Sequence, residues 1–350
     1  MTLFPNGLGE SLLIIYLFVI ISVFDALFTF VFVPIYALLP EIAPSSEERI
    51  TLSVWGNIFA ILANVIGVVI APMLYDSLGF STTTVILAFI VFISISAVLP
   101  IQEFSPEDIK QQPQISIKDA LRTSLKNSPY QIYLVNQIGM QFSFRILNAV
   151  LPFFTVSVLY LELGEMMILT APWIVVAIIS FPVWGVLAKP QNLGKKRAFI
   201  VSMIIFSVPL LLSFLFLEYP GNLFIALLMI SLIGFGMGGL WIFPPTIVGD
   251  IVDDEERRLG LRRESMYYAF QEFTEKLAIS LAVFLEGIIL GLFVIDIIPH
   301  PDYVNTGLDI PYYIYDPLGP ILLMGVLAFF PMLIALLVFT RFPKEIIIEN

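Results

Sequence analysis

Nine apolar segments follow one another along this chain, and each is of the length, about 20 residues or more, that crosses a lipid bilayer as a helix. They lie at residues 11–38, 52–75, 83–101, 130–157, 166–187, 198–217, 222–247, 266–294 and 319–340. Residues of the AVILMFWYC set make up 59% of the chain and charged residues 13%, whereas soluble domains carry roughly 45–50% and about 25%. The sequence therefore predicts an all-α polytopic membrane protein and excludes a soluble fold.

The acidic balance and the lack of cysteine disfavour several classes of function. With 17 Lys and Arg against 28 Asp and Glu, the chain has no basic excess with which to bind nucleic acid, and zero Cys leaves no disulfide framework. An intramembrane enzyme is also disfavoured, because the single histidine, His300, lies in a loop and neither H-E-x-x-H nor G-x-S-x-G occurs. We expect no enzymatic activity, no metal site and no cofactor.

The basic residues are distributed asymmetrically. Apart from Arg145 and Lys276, which lie inside apolar segments, every Lys and Arg falls in the loops on one side. The positive-inside rule makes that side cytoplasmic. Nine spans then place residue 1 on the outer side and the C-terminus in the cytoplasm. Residues 1–10 hold no basic stretch, so no cleavable signal peptide is expected. We predict a multi-pass protein of the plasma (cytoplasmic) membrane.

An internal repeat relates two loops. Pro40-Glu41-Ile42, with Arg49 after it, and Gly249-Asp250-Ile251, with Arg258 after it, share an offset of 209 residues. Parallel six-helix repeats are the plan of major facilitator transporters, whose substrate sites lie between the halves. If the second half begins near Pro129, an equal first half needs about 80 further residues, or three helices, before Met1.

Three regions follow from this repeat. Residues 1–101 form the remainder of an N-terminal helical half, residues 102–128 a cytoplasmic linker, and residues 129–350 a C-terminal six-helix half. In the linker, three apolar residues share one helical face: Ile117, Leu121 and Leu125. We therefore predict a short amphipathic helix at the membrane surface.

Two predicted cytoplasmic segments carry motifs of a known family. The first is Pro34-Ile35-Tyr36-Ala37-Leu38-Leu39-Pro40-Glu41, followed by Glu48-Arg49. The second is Gly249-Asp250-Ile251-Val252-Asp253-Asp254-Glu255, followed by Leu259-Gly260-Leu261-Arg262-Arg263-Glu264-Ser265 and by Lys276-Leu277. They resemble the glycoside-pentoside-hexuronide:cation symporters, the melibiose-carrier-like branch of the major facilitator superfamily. The resemblance implies a major facilitator fold truncated by three N-terminal helices, with nine helices corresponding to helices IV–XII of twelve. It also implies secondary active symport of a solute with Na⁺ or H⁺ by alternating access.

Charges inside the apolar segments need a partner or a water-filled cavity, because a charge at the bilayer centre costs about 2.5–3.5 kcal/mol on insertion scales. Lys276 lies near mid-depth of its segment, and Glu272 four residues earlier offers it a local ion pair. The resemblance implies instead that Lys276 lies close to an acidic cation site. Asp25, the only acid of the first segment, is another partner for Lys276 or for Arg145.

Arg145 belongs to a polar stripe in an otherwise apolar segment. Gln137, Gln141, Arg145 and Asn148 follow at spacings of four, four and three residues, so they share one helical face. Interhelical hydrogen bonding is one explanation of the stripe. A role in binding substrate or a counter-charge is the other, because an arginine is costly for packing alone.

Glycine residues cluster in the seventh apolar segment, residues 222–247. The run Gly234, Gly236, Gly238 and Gly239 lies within a predicted span, where small residues allow helices to approach closely. We expect this run to serve packing rather than to bind phosphate.

Aromatic residues indicate where a solute would bind. The resemblance implies that Tyr36 and Trp241 match positions at which sugar-transporting relatives carry aromatic residues, whereas Phe32 and Gly56 replace an aspartate and an arginine. We expect a sugar or glycoside as substrate. The alternatives are a lysolipid or another amphipathic or organic anion, and a non-transporting truncated fragment. The expected partners are this small solute, the cation and the lipid bilayer, with no nucleic acid, and the chain is expected to be a monomer.

Charged residues of both signs lie at the cytoplasmic ends of both repeat copies. The resemblance implies that they close an inner gate, and the alternative is a solvated loop whose surface ion pairs contribute about 0–1 kcal/mol each. The candidate gate residues are Glu41, Arg49, Asp250, Asp253, Glu256, Arg262 and Arg263.

Overall fold

The computed structural model describes residues 9–43, 45–70, 74, 77–96, 124–161, 163–215, 221–260, 264–293, 318–343 and 346. Within these residues there are nine long helices and no β-strand. The long helices are α1 (Glu10–Ala37), α2 (Ser46–Val65), α3 (Phe80–Ser96), α4 (Ser128–Ser157), α5 (Met167–Leu187), α6 (Lys195–Leu215), α7 (Leu223–Leu259), α8 (Glu264–Phe293) and α9 (Leu318–Thr340). A four-residue helix, Leu39–Ile42, follows α1, a π-helical segment, Ile66–Ile70, continues α2, and a 3₁₀ turn, Leu163–Met166, precedes α5.

The predicted all-α membrane class is confirmed, and each predicted apolar segment overlaps one of these helices. Five helices are long and apolar enough on their own to cross a membrane; they contain the stretches Leu12–Tyr36, Met167–Leu187, Lys195–Ser213, Leu223–Arg258 and Ile321–Thr340. Helix α3 holds a shorter apolar stretch, Ser81–Ser96. The count of nine spans and the three preceding helices stay predictions.

Helix ends are set by local capping chemistry. Helix α2 begins with a capping box, in which the Ser45 hydroxyl accepts a hydrogen bond from the Glu48 backbone N–H at 3.2 Å. The Ser45 backbone N–H donates to the Glu48 carboxylate at 3.0 Å. This backbone hydrogen bond, together with the Ser45 hydroxyl, lowers the pKa of the exposed Glu48 carboxyl. Asn222 is the N-cap of α7, and its side-chain oxygen accepts hydrogen bonds from the backbone N–H groups of Phe224 and Ile225. Gly260, with a φ of 64°, is the C-cap of the same helix.

Helices α4 to α9 pack around one buried apolar core. Helix α4 packs against α8 and α9, helix α7 lies against both α5 and α6, and α6 closes the bundle against α9. The core includes large aromatic residues from several of these helices, among them Phe181, Phe206, Phe243 and Phe339. Each helix therefore buries one face in the bundle, and its other faces can contact lipid or the helices of the N-terminal region.

Close packing of α7 depends on its glycines. A Cβ atom at Gly234 would lie 2.6 Å from the Trp173 carbonyl oxygen of α5, and one at Gly236 would lie 2.5 Å from the Phe206 backbone nitrogen of α6. Gly238 and Gly239 make equally close approaches to Ser180 of α5 and Ser202 of α6. The run therefore allows α7 to touch two helices at once, as a packing role predicts.

The N-terminal helices are less enclosed than the bundle. Helix α2 packs on α5 and α7, and its Ile50 and Val54 join the core. Helix α1 packs on α8, while its remaining surface is apolar and open, with Phe30 84% exposed. Such a surface suits lipid. In the linker, Leu125 packs against the core, whereas Ile117 and Leu121 lie outside the described residues.

Candidate functional site

Two polar sites lie on these helices, an ion-pair network at one end and a set of intramembrane charges between α1, α4 and α8. The network joins α2 to α6 and α7. Arg49 at the start of α2 places Nη1 2.6 Å from the Asp253 carboxylate and 3.5 Å from Asp250 Oδ1. Lys195, the first residue of α6, places Nζ 2.5 Å from Asp250 Oδ2. Two cations and two carboxylates thus balance in charge.

The network is buried, which distinguishes it from a solvated loop. Arg49 is 1% exposed, Lys195 2% and Asp250 0%. The Arg49 Nε also donates to the Ala43 carbonyl at 2.9 Å. Because Gly249 has no side chain, the guanidinium can lie against its backbone; a Cβ there would be 3.0 Å from Nη1. Charges buried this deeply are strongly destabilising when one partner is removed.

The remaining candidate gate residues lie elsewhere. Glu256 is on the last turn of α7, where its carbonyl accepts the Gly260 N–H at 2.8 Å. Arg262 and Arg263 and the side chain of Glu41 lie outside the described part of the chain. Lys195 was not predicted as a network residue, and its place in the basic run Lys195-Lys196-Arg197 indicated only an ordinary cytoplasmic loop.

The predicted intramembrane charges do meet. Lys276 on α8 places Nζ 2.6 Å from the Asp25 carboxylate and donates to the Thr29 hydroxyl at 2.5 Å, and both acceptors are on α1. Asp25 and Thr29 are one turn apart and therefore share a face. Of the partners that the sequence leaves open, the structure thus brings Asp25 to Lys276. Glu272 lies one turn before Lys276, partly buried.

The polar stripe of α4 faces two glutamates of α8. Gln137 donates to the Glu275 carboxylate at 3.4 Å, and Gln141 donates to the other oxygen of the same carboxylate. Farther along, Arg145 forms a loose ion pair with Glu286, with 3.7 Å between Nη2 and Oε2. Asn148 bonds only within its own helix, to the Phe144 carbonyl at 2.8 Å.

Glu275 and Glu286 are not among the site residues that the sequence patterns predict. They are 11 residues apart, about three helical turns, so they lie on one face of α8. This spacing is the sequence signal that could have identified the two glutamates, because the polar stripe on α4 requires polar groups on the helix that faces it.

The two predicted sugar-contacting aromatic residues lie in different surroundings. Trp241 on α7 packs edge-on against Phe144 with ring centroids 5.9 Å apart, and stacks on Phe181 at 6.3 Å. Trp173 joins the same cluster through Phe144, and its indole Nε1 has no hydrogen-bond partner among the described residues. Tyr36, in the last turn of α1, is half-exposed next to Phe32 and lies within electrostatic range of Glu272 and Glu275.

Together these contacts bring the aromatic cluster around Trp241 close to α4, α5 and α7, and they bring several charged side chains together between α1, α4 and α8. Aromatic faces bind sugar rings, amide groups bond hydroxyls, and carboxylates bind cations. Among the described residues, no group of three or more His, Cys, Asp and Glu side chains is arranged to hold a metal ion.

Comparison with known proteins gives consistent matches. A family model described as "MFS/sugar transport protein" matches residues 1–333. The chain is 30% identical over 162 residues to an uncharacterized symporter, sll1374, of Synechocystis, a match that covers 45% of this chain and 28% of that protein. It is 26% identical over 186 residues to an uncharacterized symporter, YjmB, of Bacillus subtilis, covering 51% of this chain and 38% of that protein.

A third relative is a "Putative sulfoquinovose importer" of Salmonella typhimurium, 25% identical over 264 residues. This match covers 73% of the chain and 54% of the relative. The chain thus spans at most about half the length of these relatives.

Proposed function

The chain belongs to the MFS/sugar transport protein family, and from that premise we propose that it carries out cation-coupled symport of a sugar or glycoside by alternating access. It is a multi-pass membrane protein and a transporter rather than an enzyme. The coupling ion is Na⁺ or H⁺, and the protein works in the plasma membrane as a monomer, with the Arg49 network on the cytoplasmic side.

The buried ion-pair network is the observation that carries this proposal. It ties α2, from the N-terminal region, to α6 and α7 of the six-helix bundle at one end of the molecule. A transporter that alternates between two states must break and remake contacts between its halves. Ion pairs suit that task because water can replace each partner when the pair separates. Separating an interdigitated apolar core costs more free energy, because it exposes apolar surface to water. We therefore expect the network to hold one end closed in one of the two states.

The charged pair Asp25 and Lys276 supports the coupling. Its two groups are partly exposed and belong to α1 and α8, which the predicted repeat assigns to different halves. A cation or proton that competes for Asp25 would release Lys276, and the contact between α1 and α8 would change with ion binding.

Counterflow of labelled sugars tests transport by the purified protein in proteoliposomes. Vesicles preloaded with an unlabelled sugar should accumulate the labelled sugar, and an inward Na⁺ or H⁺ gradient should drive uptake above the level in its absence. If no sugar of a broad neutral and acidic panel exchanges with either ion, sugar symport is rejected.

Neutralising Lys276 tests the coupling residue. Lys276→Gln should abolish gradient-driven uptake, because the ammonium that competes with the cation is gone, while downhill exchange persists. Arg341→Gln, a basic residue at the C-terminal end of α9, is the matched control. Gradient-driven uptake that is unchanged in Lys276→Gln would assign Lys276 a structural role only.

An anionic solute is the second candidate. The Arg145 side chain is 40% exposed and forms a loose ion pair with Glu286, and its buried Nε has no partner among the described residues. A guanidinium in that condition is available to an incoming carboxylate or sulfonate. The Salmonella relative is named for an anionic sugar. Competition of the counterflow by neutral and acidic sugars separates the two candidates.

A further inference from the structure

The Glu275 carboxylate is held between α8 and α4 by uncharged donors alone. Gln137 donates to one carboxylate oxygen at 3.4 Å and Gln141 to the other. Within the described ranges, no Lys or Arg nitrogen lies within ion-pair distance of this carboxylate, since the neighbouring Lys276 is directed to α1. The Glu275 carboxylate therefore has two amide donors and, among the described residues, no protein counter-charge.

Buried oxygens beside Glu275 also lack partners. Gln137 is 2% exposed, and its amide is directed at Glu275 through Nε2 while its Oε1 bonds to no described residue. The Tyr133 hydroxyl and the Gln271 Oε1 are likewise buried without a described partner. Tyr133 lies one turn before Gln137 on α4, and Gln271 one turn before Glu275 on α8. Tyr133 and Gln137 thus share one face of α4, Gln271 and Glu275 share one face of α8, and the hydrogen bond from Gln137 to Glu275 joins the two faces in one seam.

The surrounding charge favours a cation. Leaving out the first residues of the helices, α1, α4 and α8 carry the acids Asp25, Glu272, Glu275 and Glu286 but only Arg145 and Lys276 as bases. Asp25 is paired with Lys276 and Glu286 with Arg145. Glu272 and Glu275 then remain as acids in excess. A negative excess in a low-dielectric region attracts a positive ion.

The ligand chemistry selects among cations. Carboxylate, amide carbonyl and hydroxyl oxygens suit a hard cation. A divalent ion usually gathers several carboxylates, whereas Glu275 is the single carboxylate of this seam. A proton would neutralise Glu275 but would leave the amide oxygens of Gln137 and Gln271 without partners.

We propose that Glu275, Gln137, Gln271 and Tyr133 form a Na⁺ site between α4 and α8. The site rests on the symport proposed above and adds to it a second ion position, within the six-helix bundle and away from the Asp25 and Lys276 pair. Gln141, which also binds Glu275, is only partly buried.

Thermal unfolding of the purified protein tests the site without transport. Protein in detergent is heated in NaCl, KCl or choline chloride at constant ionic strength, and Na⁺ should raise the Tm by on the order of 5 °C at saturation, since an ion that binds only the folded state stabilises it. Glu275→Gln and Gln137→Leu should abolish the Na⁺-specific shift. Asp254→Asn, a carboxylate-to-amide change in an ion pair with the exposed Arg258, should retain it.

Three outcomes would overturn the proposal: no difference between Na⁺ and choline in the unaltered protein, a Na⁺ shift that survives in Glu275→Gln, or a response to pH alone. Should Glu275→Gln fail to fold, ²²Na⁺ binding to Gln271→Leu decides instead, with at least tenfold weaker binding expected. A Na⁺ shift without any sugar counterflow would reject the proposed function and keep this site; counterflow driven only by H⁺ would do the reverse.

Discussion

Asp250 divides its carboxylate between two helices. Its Oδ1 faces Arg49 of α2 and its Oδ2 binds Lys195 of α6, while the residue itself belongs to α7. A single side chain thereby joins three helices at one end of the protein. Because all three groups are buried, each depends on the others for compensation of its charge.

Asp250→Asn should lower the free energy of unfolding by about 3–5 kcal/mol, because it leaves Lys195 and Arg49 with one carboxylate between them. An SDS unfolding titration measures this loss. Asp254→Asn removes the same charge from a partly exposed carboxylate whose partners, Arg257 and Arg258, are solvent-exposed, and it should cost about 0–1 kcal/mol. Equal effects of the two changes would contradict a buried network.

At this scale the sequence predicts some residues and not others for a physical reason. Arg49, Asp250 and Asp253 could be found because their signs alternate within two related motifs. Lys195 could not, because a lysine in a basic run is normally solvated, and its burial depends on where α6 begins relative to α7. Glu275 was missed for a similar reason, since only the facing of α4 and α8 makes it a partner of Gln137 and Gln141.

Among the elements, α7 is the most constrained, since it contacts α5 and α6 through opposite glycine-lined faces. Its packing could be anticipated from the glycine run within an apolar segment. The helices that these glycines contact could not be anticipated, because the periodicity of one helix does not determine the order of helices around a bundle.

Gly236→Ala should destabilise the bundle by about 1–3 kcal/mol, because the added methyl group would press on the α6 backbone at Phe206. The matched control is Gly287→Ala in α8, where an added Cβ meets no atom within 4 Å. That change should be neutral or stabilising by up to about 1 kcal/mol, since alanine favours helix. The same SDS titration compares them, and equal losses would argue against close packing by α7.

Ser45→Ala should loosen the first turn of α2 by about 0.5–2 kcal/mol, because it removes the N-cap hydroxyl. Hydrogen exchange of the backbone amides of residues 47–50 should speed up accordingly. Ser46→Ala, one position inside the helix, serves as the control. Unchanged exchange in Ser45→Ala would show that the tertiary contacts of Arg49 alone hold this turn.

At the scale of the molecule, α2 joins the N-terminal region to the bundle through α5 and α7, and α1 makes a second contact with the bundle through α8. The all-α membrane fold follows from the apolar segments. The junction itself could not be derived from them, because it depends on which loops meet in space.

Locking this junction should stop transport. A Cβ atom at Gly185 of α5 would lie 3.3 Å from Cγ2 of Val54 of α2, so Val54→Cys with Gly185→Cys can form a disulfide. The chain has no cysteine of its own, which makes each single-cysteine variant a clean control. Counterflow should fall at least tenfold on oxidation and recover with dithiothreitol. Full activity of the cross-linked protein would mean that α2 and α5 do not separate during the cycle.

The network has one further consequence. Arg49 lies in one copy of the predicted 209-residue repeat, and its partners Asp250 and Asp253 lie in the other. Because the two loops are in direct contact, a substitution in one changes the effect of a substitution in the other. Related sequences should therefore show paired changes at positions 49 and 253, although the two are distant along the chain.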